Sequence, residues 1–261
     1  IIFFIANASS QDKLFTIIDP DQTGIHFSND LIDTKENNVF LYANFYGGAG
    51  VGVGDFDNDG LDDLFFAGNL VDDKIYKNLG NLKFQDKTPN SGIINDSSWS
   101  TGVTVADVNN DGLLDIYVSC ELYDDQPKLR TNKLYINKGN FEFDELAAKW
   151  NVDVDRRTRH AVFFDYNKDG LLDLYLLNHP PNTGNFSPFL GTDMKLPEYN
   201  LQLFENKEGY FEDVTAKAGL DRSGFPNAAV IGDFNKDGWP DIYVANDFEA
   251  PDFLYYNNQD G

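Results

Sequence analysis

The chain has 261 residues, enough for a full hydrophobic core, and its 41% apolar and 24% charged residues are ordinary globular usage, which excludes intrinsic disorder. Forty-three acidic against twenty basic residues give a net charge of −23, a field that repels phosphate backbones and anionic lipid heads and so argues against nucleic acid or a membrane surface as partner. The single Cys excludes a disulfide scaffold and any zinc site built on several thiolates.

From the N-terminus the chain runs Ile1-Ile2-Phe3-Phe4-Ile5-Ala6-Asn7-Ala8. A short apolar run ending in Ala-x-Ala has the form of a secretory signal-peptide tail cleaved after Ala8; a buried first strand is the other reading. Residues 1–11 are therefore expected to be a signal remnant and linker, and residues 12–261 a repeat domain, incomplete at its C-terminus. No later segment holds the roughly 18–20 apolar residues of a membrane span, so no transmembrane span is expected. An export signal on a chain with one Cys points to secretion, or to a bacterial envelope or periplasm. Residues 12–30, with Phe15 ahead of Gly24-Ile25, echo Phe84 to Gly92-Ile93 and Phe211 to Gly219-Leu220. They predict a lone outer strand with no sheet in front of it.

Four nonapeptides then align: DFDNDGLDD from Asp55, DVNNDGLLD from Asp107, DYNKDGLLD from Asp165 and DFNKDGWPD from Asp233. Each follows a run of small and apolar residues (50–54, 102–106, 161–164, 228–232). Each precedes a β-branched or aromatic triplet: Leu64-Phe65-Phe66, Ile116-Tyr117-Val118, Leu174-Tyr175-Leu176 and Ile242-Tyr243-Val244. These read as paired strands around an acidic turn. A third strand ends aliphatic-aromatic-x-Asn at Asn78, Asn137, Asn206 and Asn257, and a fourth carries Phe84, Phe143 or Phe211. From the third-strand aromatic to the next motif the chain always takes 29 to 31 residues, whereas the step from position 9 to that aromatic runs 13, 20, 31 and 14. All the length variation therefore falls in one connection, between the second and third strands. Four-stranded units with insertions confined to one loop predict an all-β fold, a β-propeller, with four blades and part of a fifth in this chain. Six to eight blades close most propellers, so a fragment of a larger one is expected. The acidic turns line one face and the variable connections the other.

Oxygen-bearing side chains at positions 1, 3, 5 and 9 around a forced bend suit calcium, which takes six to eight hard oxygen ligands. The predicted ligands are Asp55, Asp57, Asp59 and Asp63, with the carbonyl of Leu61. The second set is Asp107, Asn109, Asp111, Asp115 and Leu113. The third is Asp165, Asn167, Asp169, Asp173 and Leu171, and the fourth Asp233, Asn235, Asp237, Asp241 and Trp239. About four Ca²⁺, one per motif, are expected. An EF-hand is excluded, because position 12 is Phe66, Val118, Leu176 or Val244 rather than Glu and the flanks are strands. Packed carboxylates without a cation would repel one another.

These nonapeptides, with Gly-Val-Gly-Val-Gly-type strands before them and Asn-Gly-Phe segments after, resemble the FG-GAP/VCBS repeats of bacterial secreted proteins. They are most similar to the subgroup resembling cartilage acidic protein, whose members often carry an ASPIC/UnbV domain. The resemblance implies a calcium-binding propeller of the integrin-α headpiece type, with metal between strands 1 and 2.

Four near-identical sites predict structural ions rather than one catalytic ion, since a catalytic metal keeps an open position. The expected function is a non-catalytic binding or adhesion module taking a carbohydrate or protein ligand on the variable-loop face. Its alternative is a polysaccharide lyase or hydrolase on the same scaffold. Two groups mark that face. Arg157 and His160, in the one basic cluster, are either a solvated loop or an anion site for a uronic acid or a partner's carboxylate. His179, Phe186, Phe189 and Tyr199 lie in the long connection 178–202, exposed for stacking or folded over the core. Cys120, following a core strand, reads as a packed thiol.

Overall fold

The computed structural model describes residues 14–42, 44–94, 96–122, 127–180, 196–247 and 250–259. The signal-like residues 1–11 lie outside them. Four antiparallel sheets follow one another along the chain. The first holds β1 (Val51–Gly54), β2 (Asp63–Phe66), β3 (Lys74–Asn78) and β4 (Phe84–Asp86) in that order. The second holds β5 (Ser100–Ala106), β6 (Asp115–Cys120), β7 (Lys133–Asn137) and β8 (Phe143–Glu145). The third holds β9 (Thr158–Phe164), β10 (Asp173–Asn178), β11 (Gln202–Asn206) and β12 (Phe211–Asp213). Among the described residues the last has three strands, β13 (Pro226–Gly232), β14 (Asp241–Asn246) and β15 (Phe253–Tyr255). Each sheet is an up-and-down meander, the blade of a propeller-like all-β fold.

The blades stack through their faces. In β6 every residue is buried: Ile116, Val118 and Cys120 pack with Phe65 and Ile75 of the preceding blade, while Tyr117 turns to Leu174 and Phe204 of the next. In β10 Leu174 and Leu176 point back and Tyr175 and Leu177 point forward to Ile242 and Val244. A strand covered on both faces needs a continuous apolar run, and both middle blades have one. Among the described residues the first and last blades have a neighbouring blade on one face only, and β2, whose Phe66 stacks on Phe27, and β14 are accordingly only partly buried.

The first strands β1, β5, β9 and β13 lie side by side in succession, so they form the inner edge. Glycine allows that approach: a Cβ on Gly52 would lie 2.6 Å from Val103 Cγ1. Thr104 Oγ1 donates to the Ala161 carbonyl at 2.7 Å, linking β5 to β9. These inner strands begin earlier than the residue pattern predicts, at Ser100, Thr158 and Pro226, because register shifts carry polar residues into the ladder.

Residues 14–18, expected as an outer strand, belong to no strand or helix in the structure. The turn after them matches the expectation better. Asp19 caps the short helix α1 (Pro20–Thr23), which ends on Gly24 at φ 81°. Gly92, Asn151 and Gly219 end the equivalent turns in the same left-handed conformation. The Gly92 turn seats on the outer strand of the following blade, where Phe143 N–H donates to the Ser91 carbonyl at 2.7 Å. Gly24 stands against the Phe84 carbonyl in the same way.

Candidate functional site

Each acidic nonapeptide closes the turn between a blade's first two strands, and all four fold on one frame. The position-1 carboxylate accepts the backbone N–H groups of positions 5 and 6: Asp55 from Asp59 (3.0 Å) and Gly60 (2.7 Å), Asp233 from Asp237 (3.0 Å) and Gly238 (2.8 Å). Asp107 and Asp165 repeat this. The position-6 Gly sits at φ 85–90° in every loop, which a side chain resists. The position-5 carboxylate accepts the N–H of position 7, at Leu61, Leu113, Leu171 and Trp239.

The position-9 carboxylates Asp63, Asp115, Asp173 and Asp241 are almost fully buried. Each accepts the N–H of position 2 on one oxygen and, on the other, the N–H of the third-strand Asn (2.7–2.9 Å). That Asn does more. Asn137, Asn206 and Asn257 donate through Nδ2 to the position-2 carbonyl of the preceding loop, Phe56, Val108 and Tyr166, at 2.8–2.9 Å. The loops also touch: Asn58 donates to the Gly112 carbonyl, Asn110 to that of Gly170, and the Lys168 ammonium lies 4.4 Å from the Trp239 ring. The predicted ligand sets thus form one continuous face.

The first loop gathers its carboxylates most closely. Asp55, Asp57 and Asp63 bring one oxygen each within 4.8 Å, and among the described residues no other trio of acidic, His or Cys side chains does so. Asp57 Oδ1 is buried and has no hydrogen-bond partner. Asp59 is drawn aside by Lys77, which pairs with Asp57 and, at 2.7 Å, with Asp59. In the other loops Asn109, Asn167 and Asn235 donate to the position-5 carboxylate at 2.9–3.0 Å. Burial raises the pKa of Asp63. Burial first, then the neighbouring Asp111 and Asp107, pushes Asp115 up to about 7, despite its backbone hydrogen bonds. Asp173 reaches about 7 for the same reasons, beside Asp169 and Asp165. Buried carboxylates strained toward neutrality, with an orphaned oxygen among them, fit a hard divalent cation.

The opposite face holds a cavity of about 290 Å³ at the starts of the inner strands, lined by residues 47–51 and 101–103 with Arg159, His160 and Asn227. Of the residues predicted there, His160 reaches it, with its pKa lowered by burial. Arg157 (8% exposed) and His179 (4%) are instead buried. They lie near Glu121, itself buried, which accepts from the Tyr42 hydroxyl and pairs with Arg159 at 2.6 Å. Its charge acts on His179, which packs edge-on against Phe225 and whose pKa burial lowers. Tyr199 is half-buried; Phe186 and Phe189 lie outside the described residues. Cys120 is fully buried and its thiol is pushed up to about 12. No helix among the described residues is long and apolar enough to cross a membrane.

Residues 29–118 and 191–244 match the FG-GAP-like repeat family. The chain belongs to that family. Among curated proteins, this FG-GAP-like chain is 22% identical to cartilage acidic protein 1 of Xenopus tropicalis over 94% of its length and 36% of that protein's. It is 22% identical to cartilage acidic protein 1 of Homo sapiens over 77% of its length and 28% of that protein's. To integrin alpha pat-2 of Caenorhabditis briggsae it is 25% identical, over 76% of its length and 17% of that protein's. It thus spans less than two fifths of these relatives. Among solved structures it is similar to the V. cholerae biofilm matrix protein Bap1, 16% identical at a TM-score of 0.36, covering 78% of this chain and 26% of that one.

Proposed function

We propose that this chain is a calcium-stabilised, non-catalytic binding or adhesion module acting outside the cell or at its envelope. Calcium would sit in each of the four acidic loops, and a carbohydrate or protein ligand would dock at the opposite face. The observation that carries this reading is the shared frame of the loops. Four sites of one geometry, joined through Asn137, Asn206 and Asn257, suit a repeated structural ion rather than a single reactive one. The ions would be held by the side chains at positions 1, 3, 5 and 9 and would neutralise carboxylates that otherwise repel. The family's integrin-alpha and cartilage-acidic-protein relatives support a role in adhesion or binding.

The ligand face is assigned to the cavity beside His160 and Arg159. A polysaccharide-active enzyme would also have to work there, since a neutral His160 can accept a proton. The two readings separate on acidic polysaccharides. Binding without cleavage supports the module; cleavage lost in His160→Ala but kept in Asp63→Asn supports the enzyme.

A further inference from the structure

One third-strand position bears on the acidic loops: the residue before the recurrent Asn. That Asn is tied through its backbone N–H to the position-9 carboxylate in every blade, and in two blades its predecessor meets the loop. The four predecessors differ in kind, being Lys77, Ile136, Glu205 and Tyr256. Ile136 is buried in the core, and Tyr256 is mostly exposed. Glu205 meets the third loop, accepting from Asn167 Nδ2 at 3.3 Å. Lys77 meets the first loop, pairing with both Asp57 and Asp59.

The Lys stands where the loop is unlike its fellows. In loops two to four, position 3 is Asn, whose amide donates to the position-5 carboxylate. In the first loop position 3 is Asp57, which has no proton to give, and the ammonium of Lys77 supplies the missing donor. It also places a positive charge among four carboxylates. Its side chain is only 20% exposed, so water screens this charge incompletely. Asp57 Oδ1 nevertheless remains buried without a partner, so the loop keeps one ligand oxygen that Lys77 does not satisfy.

We propose that Lys77 is a tethered counter-cation that holds the empty first loop together and competes with calcium for it. Calcium enters this loop by displacing the ammonium on its flexible four-carbon stem, so the first loop binds more weakly than its four carboxylates would without Lys77. This rests on the calcium reading above, and it separates the first loop from the other three.

The test compares the whole chain with Lys77→Met and Lys77→Arg by calorimetric Ca²⁺ titration, and by thermal melting in chelator. In Lys77→Met one site, and one only, should tighten roughly tenfold, the size of one partly screened ion pair. The same variant should melt lower in chelator, because its empty loop has lost its cation. Lys77→Arg should keep the wild-type behaviour in both. Adding Asp57→Ala, which takes away the position-3 oxygen, to Lys77→Met should remove the tightened site, which assigns it to the first loop. Calcium binding that is unchanged or weaker in Lys77→Met overturns the inference and leaves the calcium reading standing. Absence of calcium binding in every variant overturns both.

Discussion

The two faces of this molecule are built by different rules. On the acidic face, four loops repeat the same hydrogen bonds nearly atom for atom, and each third-strand Asn reports to its own loop, those of the last three blades also to the loop before. On the opposite face the connections differ in length. One hydrogen bond recurs there, from the N–H of Gly68, Cys120 and Asn246 to the side chains of Asp73, Asn132 and Asp252, but the contacts of Glu121 with Tyr42 and Arg159 are made once. The difference teaches that the repeat is conserved within the chain where it must close a turn and hold the next blade. The other face varies more, because contacts such as those of Glu121 are made once.

A substitution on the repeated face should therefore cost the same in blades whose third-strand Asn also reaches the loop before. Asn206 is buried, and its Nδ2 serves the carbonyls of Val108 and Leu172 while its Oδ1 accepts from Glu208 N–H. Asn206→Ala leaves those buried carbonyls without a donor and should destabilise by roughly 3–4 kcal/mol in urea unfolding. Asn137→Ala should cost about as much. Asn78→Ala should cost less, since Asn78 is half-exposed and its Nδ2 bonds the Asp62 carbonyl of its own loop. Equal costs at all three would break the comparison.

On the variable face the expected effects are singular. Asp73 is buried, accepts from Gly68 N–H at 2.8 Å and Ser100 Oγ at 3.2 Å, and is pushed by burial from 3.8 to about 6. The folded chain then holds a proton that the unfolded chain releases. The stability this gives is fully present below about pH 4 and is lost as pH rises through about 6, by about 3 kcal/mol in all. Asp73→Asn keeps the Gly68 N–H bond on Oδ1, can donate from Nδ2 to Ser100 Oγ with that bond reversed, and should abolish that loss, melting higher than the wild type at pH 8 and showing no slope from this group between pH 4 and 6.

Glu121→Gln should come next, at about 2 kcal/mol, because Gln still accepts from Tyr42 but leaves Arg159 without its charged partner. The smallest effect returns to the acidic face. Lys168→Ala removes the exposed ammonium–Trp239 contact and should cost about 0.5 kcal/mol. A larger loss would mean that contact between loops, rather than the buried Asn, holds that face together.

How much of this was legible in the residues follows the same division. The acidic turns, the flanking strands and the single variable connection were readable because each recurs four times at a fixed offset. The work of the third-strand Asn was visible as a repeat but not as a function, since Asn206 acts on Val108, 98 residues away. Lys77 carried a weak signal, the only cation at its position in the four units. Arg157 and His179 read as candidates for an exposed face because a basic run and a long loop are usually solvated. Glu121, far off in sequence, lies buried among them instead. The strand expected before Gly24 has the right spacing but no sheet partner among the described residues.

The measurement that tests the central claim most directly is calcium stoichiometry of the whole chain, taken together with thermal melting with and without chelator. The account predicts about four bound ions and a melting temperature lower by about 10 °C or more after chelation. A chain that binds no calcium, or melts at the same temperature in chelator, would contradict it.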